Sequence, residues 1–191
     1  MAEKSKKTDR RAVYTRRAIG EALLDLLAAA EFSELTVTGL CRAAGLSRGT
    51  FYLHYANLRE VIDELYDEAL ARSGALSGEL SDWEDGSPLL SLCSWLRENR
   101  RYMPLFLPPP MQQFALDRIL SSAACAELLS GLEGSGISKS VVHTLVCHQF
   151  AGCMAMLSRN QTAPDKEWEA VINAIELIRK NGIAALADRV G

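Results

Sequence analysis

The stretch LTVTGLCRAAGLSRGTFYLHY, Leu35 to Tyr55, constrains the fold more than any other part of the chain. Thr36 stands where its hydroxyl can cap the free amides of a following helix. Behind it Val37, Leu40, Cys41 and Ala44 repeat at helical spacing, so one face points inward. Gly45 ends that helix, because a backbone with φ above zero suits glycine best. Ser47 then caps a third, very short helix, Arg48 to about His54. A helix, a three-residue turn with glycine and a short capped helix make a helix-turn-helix, whose second helix suits a DNA major groove.

The residue types of the short helix agree with that placement. Gly49 removes a side chain where the helix would crowd the groove wall. Arg48 has the planar fork that matches guanine O6 and N7, and Thr50 offers a hydroxyl and a methyl to a base edge. Tyr52 and His54 lie on a flank, where they can donate to backbone phosphates and set register. Phe51 and Tyr55 are four apart, share the opposite face and anchor the helix to its domain.

Helical spacing continues on both sides. Ile19, Ala22, Leu23, Leu26 and Leu27 form one apolar stripe, which predicts a first helix from about Asp9 to Ala30, interrupted by EFSEL. Asn57 caps a fourth helix running to about Ala75, with Glu60 three residues on in a pairing like a capping box and Leu58, Val61, Ile62 and Leu65 as its buried stripe. SGELSDWEDGSP reads as a loop. Further helices are expected over 89–107, 111–121, 123–132, 138–158 and 166–189, punctuated by LPPP and RNQTAP. No strand alternation and no internal repeat occurs. The expectation is an all-α chain of about nine helices: a helix-turn-helix domain with a basic N-terminal arm over 1–58, and a helical regulatory and dimerisation domain over 59–191.

Charge supports two different ends. Residues 1–60 carry ten Lys and Arg against seven Asp and Glu, whereas the remainder carries eleven against seventeen. The first seventeen residues alone hold seven basic and two acidic side chains. Such a split points one end towards a polyanion. No run of about 18 apolar residues suggests a transmembrane helix, and MAEKSKKTDRR lacks the apolar stretch of a secretory signal. A cytoplasmic location follows as an expectation. Five cysteines, an odd number with no CxxC, suit a reducing compartment.

TRRAIGEALLDLL and LTVTGLCRAAGLSRGTFYLHYANLREVI, followed by a large helical remainder, resemble the TetR family of bacterial transcriptional regulators. The motif match covers about residues 15 to 62: T-V, two helical turns, A-G-L-S, then T-F-Y-x-H-Y in register. The rest matches only in being helical and of the right length. The resemblance implies a homodimer whose paired N-terminal domains bind a palindrome-like operator, usually to repress transcription. It also implies a C-terminal domain that dimerises and often holds a small-molecule inducer. Carried over, Thr36 contacts a phosphate, Thr38 and Arg48 to Thr50 lie at base edges, and Tyr52 and His54 lie on phosphates. The candidate DNA-facing set is Arg16, Thr36, Thr38, Ser47, Arg48, Gly49, Thr50, Tyr52, Leu53 and His54. Leu58 stands where the family often has a phosphate-binding lysine. Arg59 points about 100° away, so one phosphate contact fewer is expected unless Arg16 or the tail (Lys4, Lys6, Lys7, Arg10, Arg11) supplies it. Tyr55, for the more usual phenylalanine, adds a hydroxyl that needs a partner if buried.

The two last long helices are the natural dimer pair. Ala151, Gly152 and Ala155 allow close approach, while Phe150, with Val142, Leu145 and Val146, and then Trp168, Ile172 and Ile175, supply apolar area. Trp95, Tyr102, Met103, Phe106, Met111 and Phe114, with Cys147, are candidates to line a ligand cavity, although plain core explains such a set at least as well. His143 and Cys147 are one turn apart and Cys125 is a conceivable third ligand, but two aligned ligands do not make a metal site. No GxSxG, phosphate loop, HExxH or paired Cys/His framework occurs, so neither an enzyme nor a cofactor is expected. The competing reading is a protein-binding co-regulator on the same fold with little operator affinity.

Overall fold

The computed structural model describes residues 2–75, 87–123, 125–126 and 138–190, and only the backbone of 2–9 and 183–190. The protein is all-α: among the described residues there are nine α-helices and no strand. In chain order they are α1 (Ala2–Leu27), α2 (Val37–Ala43), α3 (Arg48–Tyr52), α4 (Leu58–Arg72), α5 (Pro88–Glu98), α6 (Met103–Phe106), α7 (Pro109–Leu120), α8 (Lys139–Arg159) and α9 (Asp165–Val190). The chain divides into two compact units, 1–68 and 69–191.

Unit 1 is built by short-range rules. In α1, Ile19, Ala22, Leu23, Leu24 and Leu27 are buried, so the inward stripe takes Leu24 fully and leaves Leu26 half-buried. Gly20 lets α1 lie close on α4, since a Cβ there would stand 3.2 Å from Leu65 Cδ2. α1 begins earlier than Asp9, because the charged tail continues the helix, and it ends at Leu27 before a 3-10 turn over Phe32–Glu34. The Thr36 hydroxyl caps α2 by accepting from the Gly39 amide at 3.0 Å. At the other end of α2, Gly45 has φ +67, Leu46 N–H donates to the Cys41 carbonyl at 2.9 Å and Gly45 N–H to that of Arg42 at 3.3 Å. These paired bonds satisfy carbonyls that the helix end would orphan, and they require the left-handed residue between them. A Cβ on Gly45 would meet nothing within 4 Å. Gly45→Ala is therefore expected to cost only backbone strain, about 1–2 kcal/mol, read as a lower denaturant midpoint at unchanged slope.

The Ser47 hydroxyl caps α3, accepting from Thr50 N–H at 3.0 Å. Asn57 Oδ1 accepts from Glu60 N–H at 3.1 Å at the start of α4. Glu60 answers, but one residue further back than a capping box would have it: Ala56 N–H donates to its carboxylate at 2.7 Å.

Unit 2 corrects the expected helix over 89–107. The chain breaks at Asn99, makes a 3-10 turn over Arg100–Tyr102 and restarts as α6. Pro104 is the reason, since it lacks the amide that would continue the ladder. The expected helix over 123–132 lies largely outside the described residues. α8 packs on α5 and α7 and buries Val142, Val146, Phe150, Cys153, Met154, Met156 and Leu157. By length and composition α8 is long and apolar enough to cross a membrane, contrary to the expectation that no helix is; its buried face is equally that of a core helix. Arg97 pins α5 to the start of α9: its Nη1 donates to Asp165 at 2.8 Å, its Nη2 to the Ala163 carbonyl, and its guanidinium lies 5.1 Å from the Trp168 ring centroid.

Candidate nucleic-acid interface

Helix α3 has two faces of opposite character. Phe51 is fully buried and Tyr55, one turn on, is 5% exposed, with ring centroids 5.8 Å apart. On the other side Arg48, Gly49, Tyr52 and Leu53 are exposed, Leu53 to 81%. Thr36, Thr38 and Ser47 are exposed beside them, and Thr50 and His54 are half-buried. Nine of the ten candidate residues thus fall on α3, the turn before it, the residues just after it, or the start of α2. The tenth, Arg16, comes from α1.

Gly49 is informative because nothing inside the chain requires it. Its φ is not positive, and a Cβ would meet only Ser47 Oγ at the ordinary distance of 3.7 Å. The missing side chain leaves α3 bare on its solvent face, which allows a close approach from outside. Arg48 leans along the same face, its Nη2 3.4 Å from the Tyr52 hydroxyl and its guanidinium 5.8 Å from that ring's centroid. The Thr50 hydroxyl is 2.9 Å from that of Ser47, so it is already engaged in the cap. A flat guanidinium, a phenol and a bare glycine backbone on one solvent face can meet base edges and phosphates together.

Behind this face lies a cluster that spacing does not reveal. Tyr55 donates its hydroxyl to Glu64 Oε2 at 2.8 Å. Arg16 meets the same carboxylate, through Nε at 3.1 and 3.2 Å and Nη2 at 2.5 Å, with its guanidinium 5.5 Å from the Tyr55 ring centroid. The hydroxyl added by Tyr55 therefore has its partner. Burial first, then the Glu64 bond, pushes the Tyr55 phenol well above its ordinary range, which keeps it a donor. Arg16 is half-exposed yet tied to Glu64. Arg59 is paired with Asp63 at 2.8 Å, on its own helix. Leu58 is half-buried. Arg10 and Arg11 are exposed, while Lys4, Lys6 and Lys7 lie outside the residues whose side chains are described. Tyr55→Phe is expected to lower the stability of unit 1 by about 1.5–3 kcal/mol, the worth of a hydrogen bond to a charged group. Thermal unfolding at neutral pH reads this, and an unchanged midpoint would mean that water serves Glu64 equally well.

The C-terminal candidates are placed less uniformly. Met103, Phe106 and Met111 are buried, and Trp95, Tyr102, Phe114 and Cys147 half-buried. Trp95 and Tyr102 meet edge to face at 4.9 Å between centroids, with the Arg72 guanidinium 5.4 Å from Trp95 and 5.9 Å from Tyr102. Of the residues suggested for a subunit contact, Ala151, Gly152 and Ala155 are exposed and Ile172 and Ile175 half-buried. Phe150 and Trp168 are buried within the chain's own fold, at 2% and 5% exposure. Val142 and Val146 are buried too, whereas Leu145 of the same suggested set is exposed, as are the large apolar side chains of Val141, Leu177 and Ile178.

No protein-family model matches the chain. Over 70 residues, 36% of its length, it is 39% identical to the uncharacterised HTH-type transcriptional regulator YxbF of Bacillus subtilis (strain 168), of which the match spans 18%. Among solved structures, the dihydroxyacetone kinase operon activator DhaS aligns with a TM-score of 0.44 at 18% identity, over 85% of this chain and 98% of that one.

Proposed function

We propose that this chain is a DNA-binding transcriptional regulator of the TetR type, working in the cytoplasm as a homodimer on a palindrome-like operator. The observation that carries the reading is the solvent face of α3, where Arg48 and Tyr52 flank a glycine that the fold itself does not need. The 1–58 segment with its basic arm reads DNA, and 59–191 supplies dimerisation and regulation. Within the DNA-facing set, Arg48, Gly49 and Thr38 approach base edges. Thr36, Tyr52 and His54 approach phosphates, and Ser47 and Thr50 hold the start of α3. Repression follows when the operator overlaps a promoter.

Two copies pair through α8 and α9, with Ala151, Gly152 and Ala155 allowing close approach beside Val141 and Leu145. A small molecule, held among the aromatic and methionine side chains of unit 2, releases the operator by preferring a conformer whose recognition helices no longer fit successive grooves. The chemistry is binding, with no catalytic step.

Duplex binding followed against salt tests the reading. Phosphate contacts release counterions, so the logarithm of the affinity is expected to fall linearly with that of salt, with a slope of about −0.9 per phosphate neutralised. Absence of duplex binding even at low salt would instead favour the co-regulator, a reading supported by Leu58 and by the commitment of Arg16 and Arg59 to internal ion pairs.

A further inference from the structure

The solvent face of α3 has a crest, and the side chain that stands on it is apolar. Leu53 is 81% exposed, the most exposed large apolar side chain among the described residues. It follows the last residue of α3 with helical dihedrals, φ −74 and ψ −16, so it continues the turn of the helix. Each residue advances by about 100°. Leu53 therefore stands about 200° round from Phe51 and points away from the core in which Phe51 is fully buried. Gly49, four residues earlier, lies about 40° away on the same strip, and a Cβ there would meet only Ser47 Oγ, at 3.7 Å. A bare backbone, followed one turn later by a projecting leucine, lets a partner come close and then receive an apolar side chain. At such exposure Leu53 contributes little to the core.

Resting on the DNA-binding reading of α3, we propose that Leu53 selects thymine by packing against its C5-methyl group on the floor of the major groove. A leucine pressed on a phosphate strips water from a charge and returns no hydrogen bond. Tyr52 and His54, its neighbours in sequence, carry the polar tips that suit the groove walls. On the floor, guanine, adenine and cytosine present donors and acceptors, whereas thymine alone adds an apolar group. Leu53 over a thymine buries methyl against methyl. Over any other base it covers a polar edge without replacing the lost water. Selectivity thus comes from a gain at one base and a cost at the other three. Arg48 is five residues earlier, about 7.5 Å back along the axis and about 140° round it, so the two side chains address different base pairs.

The test uses the inverted-repeat duplex that the full chain selects from a random library. Each thymine is replaced in turn by uracil, in both half-sites together, which removes the C5-methyl and leaves the pairing edge unchanged. Affinity is measured for the parent chain and for Leu53→Ala, with thermal midpoints as a check on folding. At one thymine position the parent is expected to lose about 4-fold per half-site, and so about 15-fold in all, for one methyl group returned to water. Leu53→Ala is expected to bind the thymine and uracil duplexes nearly equally at that position, with the salt slope of the parent. Uracil penalties that are the same in Leu53→Ala as in the parent at every position, or absent from both, would overturn the proposal and leave the regulator standing. A selected repeat that contains no thymine would overturn it in the same way. Failure to select any repeat is a different outcome, which removes the DNA-binding reading and this assignment with it.

Discussion

Phe51→Ala is expected to cost unit 1 about 3–5 kcal/mol, the usual loss for truncating a fully buried phenylalanine. The ring has no exposed surface and lies against Tyr52 and Tyr55 at 5.4 and 5.8 Å between centroids. Small domains hold about 5–15 kcal/mol in all, so one truncation removes a large part of what keeps α3 seated. Thermal or urea unfolding should show a lowered midpoint. DNA binding should fall with it, and should recover on cooling or with ligands that favour the folded state. A variant as stable as the parent would mean that α3 is held by its cap and neighbours without the Phe51 anchor.

Arg48→Ala should do the reverse. The side chain is exposed and its one described intramolecular contact is a long one with Tyr52, so its loss should change stability by less than about 0.5 kcal/mol. If the guanidinium reads a guanine, each half-site loses about 1–3 kcal/mol, and two half-sites together lose about 30-fold or more in affinity. The salt slope should stay nearly constant and one base position should lose its preference, since a base contact and not a phosphate contact has gone. A uniform weakening over all sequences, with a slope smaller by about one per half-site and so about two for the dimer, would reassign Arg48 to the backbone. Phe51 and Arg48 are three residues apart, and the pair separates folding from reading.

What was legible in the sequence was local. Thr36, Gly45, Ser47 and Asn57 mark helix ends through bonds to residues at most a few positions away, and each does so in the structure. The two faces of α3 follow from the four-residue repeat that joins Phe51 to Tyr55. Glu64 was not legible as the partner of Tyr55 and Arg16. It lies nine residues from one and 48 from the other, and only the crossing of α1 with α4 brings the three together. Pro104 did carry a signal for the break at Asn99, which the apolar run around it concealed. Phe150 and Trp168 show the limit of periodicity: the same stripe serves a core or a partner subunit, and burial within the chain distinguishes them only once the helices are placed.

The central claim, that the exposed face of α3 reads a DNA sequence, is tested most directly by selecting bound duplexes from a random library at two salt concentrations. Enrichment of an inverted repeat, with the same motif at both concentrations and lower yield at the higher, is the predicted result. Recovery of no motif, with only weak and salt-sensitive binding, would contradict it and leave the face of α3 to a protein partner.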